Sequence, residues 1–269
     1  MPVLTRRALL AGAAALALAG PAAGAPAARL LDPRWTRSGD AGDPDAGPWA
    51  DFLARHRRMG ADGIARLDYA GASRGALRPW LDAYAATDPL RLTPDAQFAF
   101  WCNLYNALTV DLVLEAWPVD SIREVRGGLF DLGPWDEAVV EVAGAALSLD
   151  DIEHGILRPV FGDARVHYAV NCAAIGCPNL AAEPFRADGL AAALDRLARD
   201  YVRHPRGVRA AGGALVVSSI YHWFEADFGG DEAGVIRHLR RFAAGETARA
   251  LEGREGYDDH AYDWSINSA

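Results

Sequence analysis

Apolar residues recur along the chain at two spacings, and the spacing distinguishes helices from strands. Between Phe98 and Leu112 they fall every three or four positions, as on one face of a helix. Thr93 and Pro94 favour a helix start and Pro118 prevents continuation, which predicts one long helix ending by residue 117. The same spacing predicts further helices over 49–56, 69–86, 190–201, 219–228 and 232–244.

The predicted strands are short, and most of them come in pairs. Residues 139–142 turn back at an Ala-Gly pair, and residues 208–217 turn at Gly212-Gly213, so both segments predict hairpins. Residues 166–170 alternate in the pattern of a third strand. Helices interleaved with hairpins indicate an α+β fold, in which helices pack on a small, mainly antiparallel sheet.

The first 27 residues have the pattern of a cleavable export signal. Arg6 and Arg7 precede the apolar stretch Ala8–Gly20, which is too short to cross a bilayer. Paired arginines before apolar residues are typical of twin-arginine signals, although a general secretory signal has the same layout. Ala25-Pro26-Ala27 fits a small-residue cleavage site, so cleavage is expected near Ala27. The protein is therefore predicted to be periplasmic or secreted, in a bacterium.

The remainder of the chain divides into a lead-in and one domain. Residues 28–48 are rich in Pro, Gly, Asp and Ala, which predicts a flexible lead-in. Residues 49–269 are long enough for a single globular domain with a sizeable core. No later stretch is long and apolar enough to span a membrane, so the mature chain is expected to lack a membrane span.

Charge excludes one class of partner. The chain has a net charge of −9, and loss of the two signal arginines makes it about −11. Binding to nucleic acid requires a basic surface, and none stands out, so no nucleic-acid partner is expected. A small molecule or a peptide is the expected substrate class. No cofactor and no metal are assigned.

The segment from His167 to Pro178 is the most unusual in the chain, because it contains Asn171, Cys172 and Cys177. Four interpretations of the cysteines stay open. They form a disulfide across a turn at Gly176, or Cys172 is a thiol nucleophile. Alternatively they bind a metal together with histidines, or they are two inert buried thiols.

Two histidines are candidate bases for Cys172. His167 lies five residues before it, about 16 Å away if the chain is extended, and alternation places the two on opposite faces. His154 lies on another element, where Glu153 beside it is expected to orient the imidazole. The alternative for His154 is an exposed pair with Asp150, four residues earlier on the same helix.

Polar residues within the long apolar helix are candidates for contacting a substrate. Asn103 and Asn106 lie three residues apart on one face, with Tyr105 between them in sequence. A buried amide without partners costs a few kcal/mol. These asparagines therefore either bind neighbouring backbone or, with Asn171, line a cleft and hold polar groups of a substrate.

These motifs together resemble the domain of unknown function 547 family, over about residues 95–267. The block from His167 to Pro178 is the most specific part of the resemblance. The resemblance implies an aliphatic residue in relatives at the position of Cys102, often no histidine at the position of His222, and no established reaction. The shared segments are 100–108, 149–158, 167–178, 218–228 and 262–267.

The sequence leads to two functional hypotheses. The first is an exported thiol-dependent hydrolase or acyl transferase acting on an amide or ester, in which Cys172 attacks, His154 or His167 is the base and Glu153 orients. The second is a non-catalytic exported binding or structural module, in which a disulfide joins Cys172 to Cys177.

Overall fold

The computed structural model describes residues 26–125 and 133–269. Nearly all of the predicted export signal lies outside the described residues. Among the described residues, no helix is long and apolar enough to cross a membrane.

One long helix, α3, forms the centre of the fold. It extends from Pro94 to Ala116, as the spacing predicts, and every side chain from Ala96 to Val113 is buried. Because a helix buried on all faces must be surrounded, the other elements pack around it. The helices preceding α3 are α1 (Gly47–His56) and α2 (Arg74–Ala85).

The remaining helices are short and follow α3 in the chain. The segment Asp151–Leu157 is a π-helix, the form in which N–H groups donate to the fifth preceding carbonyl, and it continues directly into α4. Helix α7 is shorter than the predicted 219–228, whereas α6 and α8 match their predictions closely. Their bounds are α4 Arg158–Phe161, α5 Val166–Ala169, α6 Leu190–Val202, α7 Ser219–Trp223, α8 Glu232–Phe242 and α9 Gly245–Ala250.

Within residues 26–125 and 133–269 the strands form three small sheets, so the fold is α+β as predicted. Three antiparallel pairs account for most of the strand content, and the last strand pairs in parallel with β6. The two predicted hairpins are confirmed as β3–β4 and β5–β6. The strands are β1 Arg57–Met59, β2 Ala65–Leu67, β3 Val140–Val142, β4 Ala145–Leu147, β5 Val208–Ala211, β6 Ala214–Ser218 and β7 Asp259–Ala261.

The strand predicted over 166–170 is wrong, because this segment forms helix α5. Alternation indicates a strand only when one face is exposed, and here every residue from 166 to 170 is buried. Asp163 begins the helical turn, since its side chain accepts the N–H of Arg165 and its carbonyl accepts the N–H of Val166. Cys172 therefore follows a helix and a short extended link.

The flexible lead-in expected over 28–48 is packed onto the domain in this structure. Trp35 is fully buried and meets Trp101 of α3 edge to face, with ring centroids 5.3 Å apart. The N–H of Ala41 donates to the carbonyl of Arg91, and the carbonyl of Ala41 accepts from Thr93. One large apolar side chain thus fixes a segment whose overall composition favours a loop.

Candidate functional site

Two asparagines of α3 hold neighbouring chain segments. Asn106 donates from Nδ2 to the carbonyl of Ala169 and accepts the N–H of Asn171, at 2.9 and 2.8 Å. Asn103 makes the equivalent pair of bonds with Phe185. Both side chains are buried and their amides are occupied by the protein itself, so they act as clamps in this structure.

Asn171 fixes the turn that contains the two cysteines. Its Oδ1 accepts the N–H of Ala173, two residues on, and its Nδ2 donates to the carbonyl of Pro178. Ala173 has a φ of 61°, a left-handed conformation that is uncommon for a residue other than glycine. The Asn171 side chain thus spans the turn, which we call the thiol loop (residues 172–177).

The chain between residues 262 and 267 lies directly over the thiol loop. The N–H groups of Ile175 and Gly176 donate to the carbonyls of Ser265 and Asp263, at 2.8 and 2.7 Å. A Cβ at Gly176 would lie 2.8 Å from the backbone of Asp263, so only glycine allows this approach. The N–H of Asn267 donates to Ala173 and completes the contact.

This packing places the two sulfur atoms of the thiol loop in contact. Cys172 Sγ and Cys177 Sγ are 2.7 Å apart, and both cysteines are free thiols. The Tyr262 hydroxyl lies 3.1 Å from the first sulfur and 3.0 Å from the second. Cys177 is buried, whereas Cys172 is partly exposed. One residue of the pair is therefore partly open to solvent.

The hydrogen bonds favour a negative charge on Cys177. Its sulfur accepts the backbone N–H of Cys172 at 3.1 Å and the hydroxyl of Tyr262. Burial opposes ionisation of Cys177, but these bonds and the bond from the Cys172 thiol outweigh it and lower its pKa. The bond to Cys177, followed by burial, raises the pKa of Cys172 well above its ordinary value. The first proton of the pair is therefore lost from Cys177 more easily than from an ordinary thiol, and Cys172 retains the second proton.

Arg206 adds a positive charge beside the thiol loop. Its guanidinium donates to the carbonyl of Ile175 at 2.8 Å and to Asn179 Oδ1 at 2.6 Å. Burial lowers the pKa of Arg206, and the negative charge that Cys177 can take opposes this effect. Arg206 therefore holds the loop and favours the thiolate.

The candidate bases lie in a separate cluster of charged side chains. His167 Nε2 is 2.7 Å from Asp227 Oδ2, and Arg158 binds the same carboxylate from Nε and Nη2 at 2.6 and 3.2 Å. Glu153 Oε1 lies 3.7 Å from His167 Nδ1 and 3.9 Å from His154 Nδ1. Glu153 thus faces both imidazoles, as expected for an orienting carboxylate.

The tautomer of His154 follows from its neighbours. Arg158 Nη1, which has only hydrogens to offer, lies 3.1 Å from His154 Nδ1, so this nitrogen is the acceptor. The ring proton is then on Nε2, which faces Asp150 Oδ1 at 3.6 Å. Burial lowers the pKa of His154, whereas burial raises that of Asp150 to about 6. The pair with Asp150 is present as proposed, but His154 is buried, not exposed.

Glu153 is held as a carboxylate. Burial opposes its ionisation, but electrostatic attraction to His154, followed by interactions with His167 and Tyr105, lowers its pKa to about 2. The phenol of Tyr105 is influenced in turn by negative charge on Glu153, Cys172 and Cys177. Tyr105 therefore interacts electrostatically with both the charged cluster and the thiol loop.

The folded protein is expected to lose stability in acid through Glu153. Its pKa is about 2 when folded and near 4.5 when unfolded, so the contribution is complete above pH 4.5 and is lost as pH falls toward 2. Between pH 5 and pH 3 this loss amounts to about 2 kcal/mol. Urea unfolding at both pH values measures it. Glu153→Gln should remove this part of the acid dependence, whereas Glu141→Gln on the surface should retain it.

The structure does not bring the predicted nucleophile and bases into contact. Within the described residues, the polar side chains that contact Cys172 Sγ are Cys177 and Tyr262. The histidines are bonded to Asp227, Glu153 and Arg158 instead. In the described parts of the chain, no group of three or more His, Cys, Asp or Glu side chains is arranged to hold a metal ion.

Four important residues were not assigned these roles from sequence. These residues make contacts between segments that are far apart in the chain. Tyr262 and Arg206 contact the thiol loop, and Arg158 binds Asp227. The position of Tyr262 in the shared 262–267 motif was a usable signal. The fourth residue is Asp227, which binds His167 and Arg158, whereas the nearby His222 contacts Tyr257.

Comparison with known proteins finds a similarity to one family and gives no function. Residues 89–202 match the family model described as "Protein of unknown function, DUF547", which confirms the resemblance over these residues. The matched segment includes α3, the π-helix and the thiol loop, whereas the 218–228 and 262–267 motifs lie beyond it. No curated protein and no solved structure matches the chain.

Proposed function

We propose that this chain is an exported thiol–disulfide exchange protein, in which Cys172 and Cys177 alternate between a dithiol and a disulfide. The contact between the two sulfurs, 2.7 Å apart with one partly exposed, is the observation on which the proposal rests. Export by the signal at residues 1–27 would deliver the pair to an oxidising compartment, where such exchange occurs.

The thiol hydrolase predicted from sequence has less support. A nucleophilic cysteine of that kind needs a base within hydrogen-bond reach of its sulfur. The partners of Cys172 are Cys177 and Tyr262, while His154 and His167 are engaged with carboxylates and Arg158. In thiol exchange, by contrast, Cys177 Sγ lies 2.7 Å from Cys172 Sγ and is itself placed to take the proton of Cys172.

The exchange balances with a substrate disulfide as the oxidant. Cys172 Sγ attacks one sulfur of that disulfide as its proton moves to Cys177 Sγ, which forms a mixed disulfide and releases one substrate thiolate. The Cys177 thiol then gives its proton to that thiolate and attacks Cys172 Sγ, which releases the second substrate thiolate. The protein pair is oxidised by two electrons and the substrate disulfide is reduced, and the reverse sequence oxidises a substrate dithiol.

The hydrogen bonds to Cys177 determine which direction of the thiol–disulfide exchange is favoured. The bonds to the Cys177 thiolate from the Cys172 N–H and the Tyr262 hydroxyl stabilise the reduced form. A pair whose reduced form is stabilised is a stronger oxidant. We therefore expect a reduction potential above about −300 mV, the limit below which structural disulfides typically lie. Tyr262→Phe should lower the potential.

Redox titration against glutathione buffers tests the proposal. The exported protein should convert reversibly between dithiol and disulfide, measured by thiol alkylation and mass spectrometry. Cys172→Ser and Cys177→Ser should each abolish the transition, whereas Cys102→Ser, at a buried cysteine of α3, is the matched control and should retain it. A pair that stays oxidised in excess reduced glutathione, or that never oxidises, would refute thiol exchange.

A further inference from the structure

Residues 26–31 lie along the outside of the Asp151–Leu157 π-helix in an extended conformation. The N–H of Arg29 donates to the carbonyl of His154 at 3.0 Å, and the N–H of Leu31 donates to the carbonyl of Gly155 at 2.9 Å. Alternate residues face the helix, as in a β-strand that contacts a partner on one side. We call residues 26–31 the strap.

The helix is built to receive the strap. A Cβ on Gly155 would lie only 2.9 Å from the Cβ of Leu31, so the absence of a side chain at this position permits the approach. The two carbonyls that accept from the strap belong to successive residues of the π-helix. Turns of π-helix often occur at functional sites.

The strap also completes the bonding of Arg158. The guanidinium donates from Nε and Nη2 to Asp227, and from Nη1 to the carbonyl of Pro26 at 2.6 Å, beside His154 Nδ1. The Arg158 side chain is only 4% exposed. Loss of Pro26 would therefore leave a charged N–H donor without its acceptor, at the edge of the His154 cluster.

We propose that the outer face of the π-helix is a binding site for an extended peptide, and that the strap occupies it in cis. The recognition elements are the carbonyls of His154 and Gly155, the Nη1 donor of Arg158 and the space above Gly155. The position of signal cleavage determines whether the strap keeps its hydrogen bond to Arg158. Cleavage after Ala25 retains the Pro26 carbonyl, whereas the expected cleavage near Ala27 removes it and opens the Arg158 donor.

Amide hydrogen exchange with a pair of proline substitutions tests the occupancy. Leu31→Pro removes the N–H that binds Gly155, while Leu30→Pro is the matched control, because the Leu30 N–H makes no bond to the helix. In the wild-type chain we expect the Arg29 amide to exchange at least a hundredfold more slowly than in unstructured peptide. Leu31→Pro should raise the exchange rate of the Arg29 amide at least tenfold, and Leu30→Pro should leave that rate unchanged. Equal behaviour of the two variants, or an unprotected Arg29 in the wild type, would overturn the proposal.

A peptide added in trans tests the site itself. The Leu31→Pro protein should bind a synthetic peptide with the sequence of residues 26–31, and the wild type should bind it at least tenfold more weakly because its own strap competes. Gly155→Ala in the Leu31→Pro protein should abolish binding, whereas Gly75→Ala should not, since a Cβ there meets only the Ser73 hydroxyl at 3.7 Å. No binding to the Leu31→Pro protein at millimolar peptide would show that the face is only an intramolecular contact. Neither experiment depends on the thiols.

Discussion

Replacing Asn106 with alanine is expected to lower the free energy of unfolding by about 3 kcal/mol and to disturb the thiol loop. The substitution leaves the carbonyl of Ala169 and the N–H of Asn171 buried without partners, each at a cost of about 1–3 kcal/mol. Because Asn171 in turn fixes the turn at Ala173, the two sulfurs should separate. Urea unfolding under reducing conditions and the glutathione titration measure the two effects.

Asn103→Ala is the matched control for this prediction. Asn103 makes the same kind of clamp on the same helix, but it holds Phe185, away from the thiol loop. Asn103→Ala should therefore lower the free energy of unfolding by a similar amount and leave the redox transition unchanged. If Asn106→Ala were as redox-active as the wild type, the clamp on Asn171 would have no part in positioning the sulfurs.

Asp227→Asn is expected to lower the free energy of unfolding by about 4 kcal/mol, the larger of the two effects. The substitution removes the charge that compensates Arg158, a guanidinium with only 4% of its side chain exposed, and it replaces one of the two oxygens that accept from Arg158 and His167 with an NH2 donor. Breaking a buried ion pair from one side typically costs 3–5 kcal/mol, because the remaining charge stays buried. Urea unfolding at neutral pH measures the change.

Asp195→Asn provides the comparison at the surface. Asp195 binds Arg165 at 2.7 Å, but its side chain is 40% exposed, so its loss should cost less than about 1 kcal/mol. Adding Arg158→Met to Asp227→Asn should restore part of the lost stability, since no charge is then left buried. Equal losses for Asp227→Asn and Asp195→Asn would mean that the buried network contributes no more than a surface pair.

Local sequence signals predicted the elements whose ends are chemically marked. Pro94 and Pro118 bracket α3, and Gly212-Gly213 lies at the turn of a hairpin. Ser148 and Asp151 mark the start of the π-helix in the same local way, because each residue accepts the other's backbone N–H. These signals act within a few residues, so they do not depend on the rest of the fold.

The structure departs from the expectations drawn from sequence where burial in the core, and not the local sequence pattern, determines the conformation. Residues 166–170 alternate like a strand, yet both faces are buried and Asp163 starts a helix. The lead-in has the composition of a loop, but Trp35 inserts into the core against Trp101. In both cases the deciding contact is with residues distant in sequence, so no periodicity within the segment reveals it.

In the candidate site, too, contacts between residues close in sequence were easier to anticipate than contacts between distant residues. Cys172 and Cys177 lie close in sequence, and one of the four interpretations, a disulfide across a turn at Gly176, brought their sulfur atoms together; the structure has them 2.7 Å apart as free thiols. Tyr262 reaches them from 85 and 90 residues away, and that contact depends on how the chain returns over the loop. The pairing of His167 with Asp227 likewise spans 60 residues.

The return of residues 262–267 over the thiol loop has a consequence for biosynthesis. The backbone bonds that Asp263, Ser265 and Asn267 make with the loop can form only after these residues have been synthesised, at least 86 residues after Cys177. Until then the two cysteines lack the Tyr262 hydroxyl and are free to react with other thiols. A nascent chain that meets an oxidant in this interval is therefore vulnerable to mispairing.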